Sequence, residues 1–114
     1  MRAFLKSKIH RVTVTEANMD YDGSVTIDST LMVAAGIAEW EQVAIYDVTN
    51  GARIETYAIS SIKDSGEICI NGAAAHLIKP NDIVIILTYE YLQNNEIDNF
   101  SPKIVHVDQY NKII

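Results

Sequence analysis

The sequence has little of the residue types that mark several large protein classes. It holds one cysteine and two prolines in 114 residues, so no intrachain disulfide can form and a reducing compartment is expected. Its longest apolar runs, near residues 31–38 and 83–87, are far shorter than the roughly 20 residues that cross a bilayer. The N-terminal residues carry charge and no signal-peptide core. We therefore expect a cytoplasmic protein that engages no membrane.

Positive charge is also scarce. Nine Lys and Arg residues stand against fifteen Asp and Glu, which gives a net charge of -6. Nucleic-acid binding depends on a basic face that releases counterions, so nucleic acid is not an expected partner. An arginine-based anion site could use only Arg2, Arg11 or Arg53. The length and the ordinary apolar content, 48%, predict a single globular domain over residues 1–114.

Short strand-like runs separated by turn residues dominate the chain. They cover residues 4–14, 25–27, 42–48, 53–60, 67–70, 83–89 and 103–108. Asn50-Gly51 tolerates the positive φ of a tight turn and predicts a hairpin. Asp28 or Ser29 can cap a short helix through 31–35 that Gly36 ends. Six or seven strands with little helix predict a mainly β fold, and the pattern does not choose between barrel and sandwich.

Motifs for metal or phosphate binding do not occur. His10, His76 and His106 are too scattered to form a metal motif, and no glycine-rich phosphate loop is present. Cys69 stands in an apolar run, which favours a buried and unreactive thiol. We therefore expect no metal site and no pyridoxal phosphate site.

Five segments acquire meaning when they are taken together. In chain order they are KIHR at 8–11, YDGS at 21–24, VTNGAR at 48–53, TYAI at 56–59 and NGAAAH at 71–76. Each alone is typical of ordinary turns and strands. In this order and spacing they resemble the pyruvoyl-dependent L-aspartate 1-decarboxylase family, and the resemblance runs from residue 1 to about residue 90.

The resemblance implies a small double-psi β-barrel with short helices, assembled as a homotetramer with its sites at subunit interfaces. It implies self-cleavage between Gly23 and Ser24, giving a β chain of residues 1–23 and an α chain of residues 24–114. The α chain would begin with a pyruvoyl group made from Ser24, the covalent cofactor. L-Aspartate would form a Schiff base with that group and yield β-alanine and CO2 for pantothenate and coenzyme A synthesis. A maturation factor is left open as a further partner.

The resemblance also assigns roles to residues. Ser24 and Tyr57 would be catalytic, with Tyr57 protonating the carbanion, and Gly23, Ser24 and Thr56 would take part in self-cleavage. Residues assigned to substrate binding are Lys8, Arg53, Thr56, Asn71, Gly72, Ala73 and Ala74, with His10 and Tyr21 in support.

Elementary chemistry agrees with parts of this assignment. A dianionic substrate on an acidic protein needs a local cation, and the Arg53 guanidinium can take a carboxylate through two parallel hydrogen bonds. Small residues at 72–74 let backbone N–H groups approach an anion. Strand alternation places Thr56 and Tyr57 on opposite faces, so a bulge, a strand end or a neighbouring subunit is needed to bring both to one site.

Two other functions remain open on the residues alone. An N-terminal-nucleophile amide hydrolase would also be cut before Ser24 but would keep its free serine amine. In a non-catalytic β-barrel binding module, Gly23-Ser24 would be only a turn.

Overall fold

The computed structural model describes all 114 residues and is mainly β. Its strands are β1 (Arg2–Thr13), β2 (Glu16–Asn18), β3 (Ser24–Asp28), β4 (Gln42–Asp47), β5 (Arg53–Ser61), β6 (Ile68–Asn71), β7 (Ile83–Leu92) and β8 (Lys103–His106). One α-helix, α1 (Ser29–Ala35), and two 3₁₀ turns, Gly72–His76 and Asn94–Glu96, complete the chain. The predicted mainly β fold with short helices is confirmed.

All eight strands belong to one sheet, in the order β2-β6-β3-β5-β4-β7-β1-β8. β3 pairs in parallel with β5 and antiparallel with β6, while β1 pairs antiparallel with β7 and in parallel with β8. The strand order is open between β2 and β8. A single mixed sheet of this size is consistent with the small β-barrel that the resemblance implies.

The core consists almost entirely of aliphatic side chains. It is one cluster of 19 buried residues, in which Ile9, Ile27, Ile45, Ile70 and Ile86 have no exposed surface. β-Branched side chains pack well against a pleated surface, which explains why these positions fall on strands. This cluster fixes the inner face of β3 and β6, the two strands that carry the site described below.

Two local predictions are confirmed by hydrogen bonds. The Asp28 carboxylate accepts from the Thr30 N–H at 2.8 Å and caps α1, and Gly36 ends the helix at φ +69°. β4 and β5 form the predicted antiparallel hairpin, with Gly51 at φ +80° in its turn.

Two short elements escaped the sequence prediction. β2 has three residues and pairs in parallel with β6, so the sheet has eight strands where six or seven were expected. The 3₁₀ turn at Asn94–Glu96 was also not predicted. Neither segment is long enough to show a period of its own.

A buried asparagine holds the C-terminal residues against the sheet. Asn111, in the left-handed region at φ +61°, accepts from the Thr13 N–H at 2.8 Å. Its Nδ2 donates to the carbonyls of Thr13 and Gly66, both at 2.8 Å. The terminus is thereby tied to β1 and to the loop before β6. No helix has the length and apolarity to cross a membrane.

Candidate active site

Ser24 opens strand β3 and is almost completely buried, with 2% of its surface exposed. The antiparallel register places it opposite Asn71, the last residue of β6. Asn71 Nδ2 donates to Ser24 Oγ at 3.0 Å, and Ser24 Oγ donates to the Asp22 carbonyl at 3.1 Å. The hydroxyl is therefore held by one donor and one acceptor beside the Gly23–Ser24 peptide bond.

The backbone next to this contact requires glycine at position 72. Gly72 has φ +78°, and a Cβ there would lie 2.6 Å from Gly23 Cα and 2.9 Å from Gly23 N. A Cβ atom does not come this close to atoms to which it is not bonded, so any side chain at position 72 would push the two segments apart. A Cβ at Gly23 would meet nothing within 4 Å. The chain thus approaches Gly23 closely from the Gly72 side and leaves it open on the other.

A cavity of about 320 Å³ adjoins Gly23. It is lined by Gly23, Ile54, Glu55, Thr56, Asn71, Ala73, Ala74 and Leu77. Five of these were predicted as site residues, whereas Ile54, Glu55 and Leu77 were not. The lining combines small residues, one hydroxyl, one amide and one carboxylate, and it contains no cation.

Other predicted residues lie away from this cavity. Arg53 lines a neighbouring cleft of about 690 Å³ that shares Ile54 and Glu55 with it. The Arg53 guanidinium lies 4.0 Å from the centroid of the Tyr46 ring, a cation–π contact. Tyr57 stacks on Trp40, with ring centroids 5.6 Å apart and planes 25° from parallel. Thr56 lines the cavity and Tyr57 does not.

Lys8 and His10 lie on β1, between β7 and β8, and do not line the cavity. The His10 ring meets His106 edge-on at 5.6 Å, and its buried Nδ1 has no hydrogen-bond partner within the chain. Burial, and then the charges of Lys8, His106 and Arg11, lower the pKa of His10. These effects favour the neutral form of the ring.

Tyr21, the other predicted supporting residue, is exposed, and its carbonyl approaches the Gly72 position. One copy of the chain thus brings together Gly23, Ser24, Thr56, Asn71 and residues 72–74. It leaves Lys8, His10, Arg53 and Tyr57 outside.

Sequence reasoning did not find two residues that contact Asn71. Its Nδ2 also donates to Thr26 Oγ1 at 3.0 Å, and its Oδ1 accepts from the Cys69 thiol at 3.2 Å. A signal was available, because Thr26 follows Ser24 by two residues and Cys69 precedes Asn71 by two, which puts each pair on one strand face. Burial, and then the nearby carboxylates of Glu16 and Glu67, raise the pKa of Cys69 to about 11.

Comparison with known proteins gives the family of the chain. A family model described as aspartate decarboxylase matches residues 1–114. The chain belongs to the aspartate decarboxylase family. It is 56% identical over 114 residues to a protein of Corynebacterium efficiens, covering all of this chain and 84% of the relative.

This relative and two others are named aspartate 1-decarboxylase. The Myxococcus xanthus protein is 52% identical over 113 residues, 99% of this chain and 87% of its own. The Acetivibrio thermocellus protein is 56% identical over 110 residues, 96% of this chain and 87% of its own. Membership in the aspartate decarboxylase family confirms the predicted resemblance and enzyme class, a carboxy-lyase. It supports neither the amide hydrolase nor the binding module.

Proposed function

We propose that this chain is the precursor of an aspartate 1-decarboxylase that converts L-aspartate to β-alanine and CO2 for pantothenate and coenzyme A synthesis. One observation carries the proposal beyond the family assignment. Ser24 is buried, and Gly23, the residue before it, lines a cavity together with Thr56 and Asn71. We place the enzyme in the cytoplasm, where the Cys69 thiol stays reduced.

The chain would make its own cofactor by self-cleavage. Ser24 Oγ attacks the Gly23 carbonyl carbon, the Gly23–Ser24 C–N bond breaks, and the Oγ proton passes to the released amine, which leaves an ester. Loss of the Ser24 α-proton then breaks the Cβ–Oγ bond and frees the Gly23 carboxylate. Water replaces the remaining nitrogen, which leaves as ammonia. The products would be a β chain of residues 1–23 and an α chain of residues 24–114 with an N-terminal pyruvoyl group.

The residues around Ser24 fit this chemistry. The open side of Gly23 presents no Cβ to an attacking oxygen. The tetrahedral step develops negative charge on the Gly23 oxygen, and a preorganised donor lowers its free energy. The Thr56 hydroxyl, which lines the same cavity, is the donor we assign. Asn71 already donates to Ser24 Oγ.

Decarboxylation of an amino acid needs an electron sink, and a pyruvoyl carbonyl supplies one when it is formed. The chain's own residues would bind and orient the substrate. Thr56, Asn71 and the backbone of residues 72–74 would hold a carboxylate at the cavity. Tyr57 would give its phenolic proton to the carbanion, since a phenol is protonated at neutral pH.

The charge of the substrate supports a site shared between subunits. Aspartate carries two carboxylates, yet the cavity of one chain has Glu55 and no cation. Lys8 has no ion-pair partner within the chain, whose one salt bridge joins Lys6 to Glu41. A neighbouring copy that supplies Lys8, Arg53 and Tyr57 would complete the site. We propose a homotetramer because the resemblance to the aspartate decarboxylase family implies that assembly.

Product formation tests the reaction. The wild type and a Ser60→Ala variant, altered at an exposed serine, should form β-alanine from L-aspartate, whereas Ser24→Ala should form none. β-Alanine production by Ser24→Ala would overturn the assignment.

Subunit mixing tests the shared site. Ser24→Ala and Arg53→Ala chains should each be inactive alone and should regain activity when they are co-expressed. Co-assembled chains that stay inactive would contradict a site built from two copies.

A further inference from the structure

We propose that Cys69 and Thr26 are positioning residues that fix the orientation of the Asn71 carboxamide and thereby set the rate of self-cleavage at Ser24. This inference rests on the proposed function. It concerns two side chains that the cleavage chemistry does not otherwise use.

Four side chains form a square on one face of the β3–β6 pair: Ser24, Thr26, Cys69 and Asn71. In the antiparallel register Ser24 lies opposite Asn71 and Thr26 lies opposite Cys69. Alternation turns Val25 and Ile70 to the other face, where both are fully buried in the core. Ser24, Cys69 and Asn71 are themselves at most 6% exposed, so water competes little for their hydrogen bonds.

Both Nδ2 hydrogens and the Oδ1 atom of the Asn71 carboxamide have a partner in this square. The two Nδ2 hydrogens go to Ser24 Oγ and Thr26 Oγ1, each at 3.0 Å. Oδ1 accepts from Cys69 Sγ at 3.2 Å. Rotating the amide by half a turn would point Nδ2 at sulfur, which is a weak acceptor. The thiol thus favours the orientation in which the N–H groups face the serine.

The thiol remains a donor over the whole physiological range. Burial, and then the carboxylates of Glu16 and Glu67, raise the pKa of Cys69 to about 11. The same protonated state makes it a poor nucleophile. The protonated Cys69 thiol can therefore donate a hydrogen bond, although it is a poor nucleophile.

The amide orientation matters because Ser24 Oγ must lose its proton to attack. An N–H that points at Oγ stabilises the developing negative charge, whereas a carbonyl oxygen in that place would repel it. It would also accept a hydrogen bond from the Ser24 hydroxyl, which keeps the proton on Oγ. Losing the thiol donor lets the unproductive orientation compete.

Paired substitutions test the inference on the full chain, with cleavage followed by the appearance of the two fragments over time. Cys69→Val and Thr26→Val keep a small side chain and remove the hydrogen-bonding group. We expect each to cleave about three- to tenfold more slowly than wild type, as for loss of one hydrogen bond. Cys69→Ser and Thr26→Ser restore the group and should cleave within about twofold of wild type.

A purely structural role would lower the thermal midpoint and would not be rescued by serine. Cys69→Val that cleaves at the wild-type rate, or Cys69→Ser that is as slow as Cys69→Val, would overturn the inference. Exchange of the Asn71 side-chain amide hydrogens, followed by NMR, gives a readout independent of cleavage. It should be slow in wild type and Cys69→Ser and faster in Cys69→Val, and equal rates would also overturn the inference. A wild type that never cleaves would instead remove the proposed function.

Discussion

Asn71 Nδ2 donates a hydrogen bond to Ser24 Oγ across the antiparallel β3–β6 pair, at 3.0 Å. Both residues are buried, so the contact is protected from water and its geometry is set by the strand register. The register is fixed in turn by the aliphatic core beneath the two strands. This hydroxyl lies next to the Gly23–Ser24 bond that we propose is cleaved.

Asn71→Asp should keep the shape of the side chain and remove the Nδ2 hydrogen-bond donor. The new carboxylate would accept a hydrogen bond from the Ser24 hydroxyl and repel the negative charge that develops on Oγ, so self-cleavage should slow by about a hundredfold or more. Fragment appearance on a denaturing gel gives the rate. Asn18→Asp, an exposed change on the adjacent strand β2, is the matched control. Equal rates for the two variants would show that the Asn71 amide has no part in cleavage.

Gly72→Ala should impair cleavage more than Gly51→Ala. Both glycines have φ near +80°, but a Cβ at Gly72 meets Gly23 Cα at 2.6 Å while one at Gly51 meets nothing within 4 Å. The two variants share the backbone strain, of order 1 kcal/mol, and differ in the collision. Thermal unfolding midpoints and cleavage rates should both fall further for Gly72→Ala. Identical losses would mean that the close approach is unimportant.

Asp47 should make stability depend on pH. Burial, reinforced by the neighbouring Asp82 carboxyl, raises the pKa of Asp47 from 3.8 to about 6. The folded state binds this proton more tightly than the unfolded state, so the stabilisation is complete below about pH 4 and is lost as pH rises through 6.

Asp47→Asn removes the titration and keeps an acceptor for the Thr49 N–H. Its free energy of unfolding above pH 7 should exceed that of wild type by up to about 3 kcal/mol. Asp98→Asn, at an exposed position, is the control. Unfolding curves from pH 4 to 8 that run parallel for wild type and Asp47→Asn would contradict the prediction.

Arg53→Lys should weaken substrate binding. Lysine keeps the charge but loses the planar pair of donors and part of the stacking on Tyr46. We expect KM for aspartate to rise about tenfold, with a smaller change in kcat. Arg2→Lys, whose guanidinium bonds the exposed Asn94 side chain, should leave KM unchanged. A normal KM for Arg53→Lys would remove Arg53 from substrate binding.

The sequence predicted elements that local chemistry determines. The Asp28 cap, the Gly36 helix end and the hairpin at Asn50-Gly51 each depend on neighbouring residues, and the structure has all three. It did not predict β2, which is only three residues long and is defined by its pairing with β6. Strand order also depends on distant partners, so no local pattern could supply it.

The candidate site also has a part that the sequence predicted and a part that it did not. The five matched segments assigned Gly23, Thr56 and Asn71 to the site, and these three residues line one cavity. The segments did not indicate that Cys69 and Thr26 bond the Asn71 amide, because they contain neither residue and the Thr26 contact depends on the register between β3 and β6. The cation for the substrate could not be placed either, since Arg53 does not reach the cavity of its own chain.

The intact mass of the purified protein tests the central claim most directly. Self-cleavage at Ser24 predicts two chains, residues 1–23 and residues 24–114, the second lighter by one ammonia than a chain beginning with free serine. Ser24→Ala should give one uncut chain. A wild-type fragment that retains the serine amine, or an uncut wild-type chain that still releases CO2 from aspartate, would contradict the account.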